Sequence, residues 1–535
     1  MRSEDRYFKE LKRDELWQRY CGFTELCADD YVRIQERLLR DQINRIYNTE
    51  LGGKVIGSRK PKNVDEFRQM VPLTTYDDYE PYLSEQREDV LSQKPDMWGH
   101  STGRGGRFKW MPYTNEYLQR VARTTIASLI MATTGRKGEV NIKPKLRILF
   151  ILPKPPYASS CLVDSFSQQF SFKQIPPHKL SEVLELPDRV KVGFKMAMRD
   201  GVDVIAAIAS VLVSIGDQLS GQAKGMKFSP SMLHPRLMTR LLLAWFRSKR
   251  DKRSIMPKDL WPTQAIMTSG VDTKIYEEEV VRYWGVKPFE FYAGTESLFL
   301  AINTWSRNGM IFLPDLVFLE FIPYREVKNC QADPKYIPHT YLLNELDSGE
   351  SYEVVISHLY GMPLVRYRIG DIIKVINLGD KETGVNLPHI VFQRRIGETI
   401  ALAGLADLDE KTIWQAISNT GVKYVDWVAC KEIENNQAYL RIFVEMKAEE
   451  ETREATVLAG VIDRELKIMD TDYKDIGEYL NLNPVKLTFL SAGTFGRYIN
   501  EQREKGADLA HLKPAHVNPP DQAVKRLIEL SKIGG

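Results

Sequence analysis

Residues 264–296 read QAIMTSGVDTKIYEEEVVRYWGVKPFEFYAGTE, and this stretch decides the architecture of the first part of the chain. An apolar run over 264–268 meets Ser269-Gly270, the spacing then predicts a helix over 273–284, and a second strand ends at Tyr292. Strand, glycine turn, helix and strand make a βαβ unit. Such a unit implies a parallel sheet with ligand contacts at the strand C-termini. The continuous apolar run over 146–152 reads as another buried strand.

Upstream, Leu11, Leu16, Trp17 and Tyr20, then Tyr31, Ile34, Leu38 and Ile43, recur at helical spacing, so the first sixty residues read as helix. Residues 71–79, VPLTTYDDY, form a turn that opens a short helix. The most apolar stretch, 202–215, is shorter than the ~20 residues a membrane-spanning helix needs and reads as a buried helix. Downstream, short alternating runs at 317–322, 352–356, 372–376 and 390–392 predict an antiparallel sheet or barrel packed on the α/β core. The pattern then restarts as helix (411–419), strands (424–430, 438–446), helix (455–469), strand (485–490) and a helix beyond Thr494. The fold class is α/β: a large N-terminal domain over 1–396 with mixed or parallel sheets and a β-barrel-like subdomain, a hinge over 397–403, and a smaller hinged α+β C-terminal domain over 404–535.

At 535 residues the chain is too long for one ordinary core. Its 74 Lys+Arg against 71 Asp+Glu give no reason to expect nucleic acid or an anionic membrane as the main partner. Five scattered cysteines, an odd number, suggest neither a disulfide framework nor a zinc site, but thiols in a reducing compartment. The charged N-terminus lacks the apolar run of a signal peptide, so the expectation is a cytoplasmic protein. The basic run over 247–253 reads as a solvated surface loop.

Three segments carry chemistry. Ser101-Thr102-Gly103-Arg104-Gly105-Gly106-Arg107-Phe108-Lys109 combines glycines, whose N–H groups can converge on an anion, with hydroxyls and cations. It is either a phosphate cradle or a glycine-rich surface turn. Tyr292-Ala293-Gly294-Thr295-Glu296 ends a strand, where Glu296 can hold a hard Mg²⁺ or cap a following helix. In Arg366-Tyr367-Arg368-Ile369-Gly370-Asp371 the aspartate either accepts bonds from ribose hydroxyls or pairs with an arginine to brace a turn. Arg394 and Arg395 add guanidinium forks suited to phosphate or ribose. No histidine has a partner at metal spacing, and no Gly-x-Ser-x-Gly elbow is present.

In this order, with Leu512-Lys513-Pro514 downstream, these segments resemble the adenylate-forming ligase superfamily, and most of all its auxin-responsive Gretchen Hagen branch of acyl acid–amido synthetases. Tyr367 to Asp371 matches that family's Tyr-Arg-x-Gly-Asp motif, and Tyr292 to Glu296 is similar to its Tyr-x-Ser-Ser-Glu motif, with Gly294 in place of a serine. The phosphate loop departs from the family at Arg104 and Gly105, where serine or threonine is usual. The resemblance implies a ligase that uses ATP and Mg²⁺ to join a carboxylic acid to an amine such as an amino acid. Ser101, Thr102, Gly103, Gly105, Gly106 and Lys109 would close on the β- and γ-phosphates. Tyr292 would flank adenine, Thr295 would touch the α-phosphate, and Glu296 would hold the metal. Asp371, assisted by Arg395, would bind ribose, and Lys513 would approach the reacting carboxylate from the mobile domain, swung at Gly397. The acid pocket is expected from helices between residues 163 and 238. Two alternatives remain: an acyl-CoA ligase on the same scaffold, and a non-catalytic nucleotide-binding relative.

Overall fold

The computed structural model describes the chain apart from residues 1, 103–107, 152–155, 185, 208, 223–234, 270–272, 275, 334, 397–398, 403–405, 435–436, 448–453, 471–472, 475–483, 505–511 and 534–535. Gly103, Gly105, Gly106 and Gly397, where a hinge is expected, therefore lie outside the described residues, as does Arg104. The chain forms two compact units, Met1–Gln393 and Arg394–Gly535.

Among the described residues, the first unit is organised by one eleven-stranded sheet. Its strands follow the hairpin β1 (Met97–Thr102) and β2 (Phe108–Tyr113) in the chain: β3 (Leu146–Phe150), β4 (Phe172–Ile175), β5 (Val204–Ala206), β6 (Ala265–Thr268), β7 (Phe289–Tyr292), β8 (Ala301–Asn303), β9 (Met310–Phe312), β10 (Val317–Pro323), β11 (Ser351–His358), β12 (Tyr367–Asn377) and β13 (His389–Arg395). They lie in the order 10-11-12-13-9-8-7-6-5-3-4. From β7 to β4 neighbouring strands run parallel, and from β7 to β8 the pairing turns antiparallel. The βαβ expectation holds: β6, the helix Glu277–Trp284 and β7 are all present. The strands expected as a barrel-like subdomain, β10 to β13, form the antiparallel half of the same sheet.

Alternation along the parallel strands explains why both faces are buried. Ile148, Phe150, Val204, Ala206, Ala265 and Met267 face one core, whereas Leu149, Ile151, Ile205 and Ile266 face another. The first core is covered by the helices Asn115–Thr133 and Ala158–Gln169, and the second contains the stacked Trp261 and Trp284, 5.8 Å apart. The stretch 202–215, expected as one helix, instead gives β5 and then the helix Ala209–Gln222. A short apolar run does not distinguish strand from helix by period, and pairing with β3 and β6 decides it. The basic run 247–253 is likewise no simple loop: its first half ends the helix Pro235–Arg250, and Arg253 pairs with Asp259 at 2.6 Å.

The N-terminal helices cover the β10 edge. From the helix Ala28–Ile46, Gln35 donates to the Val317 carbonyl at 2.6 Å and accepts from the Leu319 N–H at 3.0 Å, so its carboxamide replaces a missing neighbour strand.

The second unit pairs β16 (Tyr424–Glu434) antiparallel with β17 (Gln437–Met446), and β17 parallel with β18 (Val485–Leu490). It also holds a hairpin of β14 (Thr399–Leu402) and β15 (Ala406–Asp409). Trp427, Ala429, Ile442 and Val444 face the helices Glu410–Asn419 and Ala455–Met469, while Val428 and Phe443 face Thr494–Glu504 and Asp521–Ile533. Asp521–Ile533 is a helix the sequence reading did not place. Among the described residues no helix is long and apolar enough to cross a membrane.

Candidate active site

The segment Tyr367–Asp371 begins β12, and a bulge aims its aspartate. Glu353 faces Ile372 and Val355 faces Arg368, so one residue of β11 opposes Ile369, Gly370 and Asp371. Gly370 makes this possible with φ +81°, a conformation other residues adopt only at a cost. Space for a methyl group is open there. Gly370→Ala is therefore expected to cost about 1–2 kcal/mol through backbone strain alone and to weaken nucleotide binding by misdirecting Asp371. Denaturant unfolding and nucleotide titration check both effects.

The two arginines of this segment do not pair with Asp371. Arg366, buried and with φ +44°, donates from Nε and Nη2 to Glu320 on β10 at 3.0 and 2.8 Å, and from Nη1 to the carbonyls of Arg68 and Val71 at 2.6 Å each. Arg368 makes a second fork with Glu353 on β11, at 3.0 and 2.6 Å. The turn-bracing ion pair considered from sequence is thus made with neighbouring strands. Residues 71–79 are tied to the same strand: Thr74 N–H donates to the Arg366 carbonyl and Arg368 N–H to the Thr74 carbonyl, both at 2.9 Å.

At the end of β7, where the sheet changes direction, Tyr292 donates its hydroxyl to Asp371 Oδ2 at 2.7 Å, and its ring meets Phe392 edge-on at 5.7 Å. The following residues form a turn, with Gly294 accepting from the Leu298 N–H at 2.7 Å. No helix follows, so Glu296 does not act as a helix cap. Its carboxylate is buried at 5% exposure, receives the Tyr367 hydroxyl at 3.4 Å and has no ion-pair partner among the described residues. An oxygen-only donor of this kind fits Mg²⁺, which takes one or two carboxylates together with substrate phosphates. A side chain at Gly294 would place its Cβ 3.2 Å from Glu296 Oε2, so the glycine leaves that carboxylate room.

His358 fixes the turn from behind. Its Nε2 donates to the Glu296 carbonyl at 2.5 Å while Nδ1 accepts from the Leu364 N–H at 3.1 Å. Burial pushes its pKa down to about 3, so it stays neutral and structural. Tyr113 donates to the Thr295 carbonyl at 2.5 Å, joining β2 to the same turn.

The hairpin β1–β2 carries both ends of the expected phosphate loop, whose residues 103–107 lie outside the described residues. Ser101 lies opposite Lys109 and Thr102 opposite Phe108 in the register, and Lys109 Nζ stands 5.4 Å from the Tyr76 ring centroid. Tyr76 Oη accepts from the Trp110 N–H at 2.8 Å, which binds the hairpin to the 71–79 segment. Behind Thr295 opens a cavity of about 260 Å³. Leu129, Phe150, Leu162, Met267 and Phe291 line it, with His100 at one side, and among the described residues no Asp, Glu, Lys or Arg does. Of the stretch 163–238, where the acid pocket is expected, Ala206 and Ala207, on and just after β5, line this space among the described residues, and the helix Asn115–Thr133 supplies Thr125 and Leu129.

In the second unit, Arg395 ends β13. Lys513 donates to Asp426 Oδ2 at 2.8 Å, and its side chain is 60% exposed. His516, which looks isolated in the sequence, sits between two carboxylates: Nδ1 is 2.5 Å from Glu410 Oε1 and Nε2 2.7 Å from Asp426 Oδ1. Glu410 and Asp426 are far from His516 in the chain, so no local spacing signals this cluster.

Three family models match in chain order: the GH3 family N-terminal domain over residues 22–201, the GH3 family central domain over 310–395 and the GH3 family C-terminal domain over 410–520. The chain is 19% identical over 566 residues to the indole-3-acetic acid-amido synthetase GH3.17 of Arabidopsis thaliana, covering 90% of each. Its fold is similar to that of AtGH3.15 acyl acid amido synthetase in complex with 2,4-DB, with a TM-score of 0.67, 17% identity and 95% of each chain covered. It is also similar to 2-hydroxyisobutyryl-CoA ligase in the postadenylation state with 2-HIB-AMP, with a TM-score of 0.59, 13% identity and coverage of 95% and 93%. The Tyr292–Asp371 and Tyr367–Glu296 pairs thus sit in a chain whose N-terminal, central and C-terminal segments all match one family, and the chain belongs to the GH3 family.

Proposed function

We propose that the protein is an ATP-dependent acyl acid–amido synthetase. The observation that carries this reading is the set of Tyr292, Glu296 and Asp371 at the point where the sheet turns from parallel to antiparallel, beside a cavity lined by apolar side chains. Open α/β sheets bind their ligands at such points.

In the first half-reaction the substrate carboxylate attacks the α-phosphorus of ATP. A bond from the carboxylate oxygen to phosphorus forms, the α–β bridging bond breaks, and pyrophosphate leaves with the bond's electron pair. In the second, an amine attacks the acyl carbon and gives up a proton, and AMP departs. Asp371, oriented by Tyr292, receives the ribose hydroxyls with help from Arg395, while the Tyr292 ring flanks adenine. Thr295 contacts the α-phosphate, and the Ser101–Lys109 hairpin closes on the β- and γ-phosphates. Glu296 would hold Mg²⁺, which neutralises charge gathering on the phosphate oxygens. Lys513, carried by the C-terminal domain, supplies a cation to the same charge, and the domain turns at a hinge over 397–403 between half-reactions.

Among the described residues the lining behind Thr295 is apolar and carries no charged side chain, which favours a compact apolar monocarboxylic acid. Use of ATP and five free thiols suit a cytoplasmic setting. The test is pyrophosphate release over a carboxylic-acid panel, with amino acids or coenzyme A as acceptor. Apolar monocarboxylates with amino acids are expected to give amides and no thioester, and dicarboxylates to stay inert. Thioester formation alone would mean an acyl-CoA ligase, and silence across the panel with no ATP binding by calorimetry would reject both enzyme readings.

A further inference from the structure

We propose that Asp426 is a positioning residue that docks the Lys513 ammonium between half-reactions, and that the His516 imidazolium, held by Glu410, determines how readily the lysine leaves. This rests on the reading of Lys513 as the cation that assists adenylation.

The cluster is a chain of alternating charge: Glu410, His516, Asp426, Lys513. Its members come from three elements. Glu410 opens the helix Glu410–Asn419, behind the Asp409 cap. Asp426 lies on β16 at the register shift that follows Tyr424, and His516 and Lys513 lie on the C-terminal segment. That segment is pinned to β16, because Ala429 N–H donates to the His516 carbonyl at 2.6 Å and Asn518 N–H to the Ala429 carbonyl at 2.9 Å. The His516 ring stacks on Trp427, 4.7 Å away and 11° from parallel. The histidine is therefore fixed in place.

Both ring nitrogens face carboxylates, so both must donate and the ring carries a proton. Burial alone would depress its pKa, but the hydrogen bonds and charges of Asp426 and Glu410 outweigh burial and raise it to about 9. Asp426 is 9% exposed and held at three points: the Trp427 N–H at 3.0 Å, His516 and Lys513. Lys513 is the mobile partner. When it leaves, Asp426 keeps the imidazolium, so no buried charge is stranded, which is the costly outcome when one partner of a pair departs. A neutral residue at 516 removes that compensation, and the carboxylate then holds the lysine more tightly.

The experiment measures ATP–pyrophosphate exchange and, separately, amide formation from a supplied synthetic acyl adenylate. The full chain is compared with His516→Gln, Asp426→Asn, the double variant, Glu410→Gln and Lys513→Ala. His516→Gln is expected to slow exchange about tenfold, the factor for one pK unit of lost compensation, with transfer from the supplied adenylate unaffected. Asp426→Asn should speed exchange, and the double variant should recover it, because no carboxylate remains to hold the lysine. Glu410→Gln keeps the ring and should move the alkaline fall of exchange, expected near pH 9 in the parent, to lower pH; it carries the test if His516→Gln does not fold. A merely structural role would slow both half-reactions and make the double variant worse than either single one. Failure of the double variant to recover, or Asp426→Asn as slow as Lys513→Ala, overturns the dock. Unchanged exchange in Lys513→Ala would instead reject the role given to the lysine.

Discussion

Lys513→Ala lowers the rate of adenylate formation on the order of 10²–10³, the usual effect of losing a preorganised donor aimed at developing charge, about 3–4 kcal/mol. The expected loss is in kcat for ATP–pyrophosphate exchange, with substrate binding nearly unchanged, because the charge this cation meets exists only in the transition state. Stability should hardly move. Lys513 is 60% exposed, and such pairs contribute little once solvent screening is counted, while Asp426 retains His516 and the Trp427 N–H. A variant that loses activity while its unfolding midpoint in denaturant stays put separates a chemical role from a structural one. Lys513→Arg keeps the charge but carries it on a broader planar fork, so partial activity is expected.

Arg366→Ala should have the opposite signature. Arg366 and Glu320 are 5% and 1% exposed and joined by two hydrogen bonds, and removing one partner of such a pair typically costs about 3–5 kcal/mol. Two further groups lose their donor, the carbonyls of Arg68 and Val71. The damage also spreads toward the site, since the Arg366 carbonyl accepts from Thr74 and the neighbouring Arg368 N–H donates back to it. Unfolding of the first unit in denaturant should shift strongly, and nucleotide affinity should fall with it. Replacing Arg366 and Glu320 together by leucine and methionine should recover part of the loss, because no buried charge is then stranded. Full recovery would mean that the guanidinium bonds to Arg68 and Val71 contribute nothing.

Strands and helices were legible where a segment carries both a period and an end signal. In 264–292 the two strands and the helix between them could be read, and 455–469 and 485–490 were placed to the residue. What failed locally was ambiguity of period: residues 202–215 are apolar at nearly every position, and only the neighbours β3 and β6 make the first part a strand. The shape of the site was less legible. Asp371 and Tyr292 could be named as candidates, but their hydrogen bond spans 79 positions of chain, and nothing local reports it. Arg366 and Arg368 looked like partners for Asp371 because they are near it in sequence. On a strand, neighbours across the sheet are closer than neighbours along it, and Glu320 and Glu353 take both arginines.

The sequence by itself determined the βαβ unit over 264–292, the main strands and helices of the C-terminal part, the motif segments and the family they resemble, since these depend on local periodicity and on residue types at short spacing. The tertiary structure alone decided which charges meet. It gave Arg366 to Glu320, left Glu296 buried beside Tyr367, opened a largely apolar cavity behind Thr295, and gathered Glu410, His516, Asp426 and Lys513 into one cluster. The physical reason is that burial follows from the pattern of each element, whereas an ion pair forms wherever packing brings its two members within about 4 Å, however far apart they stand in the chain.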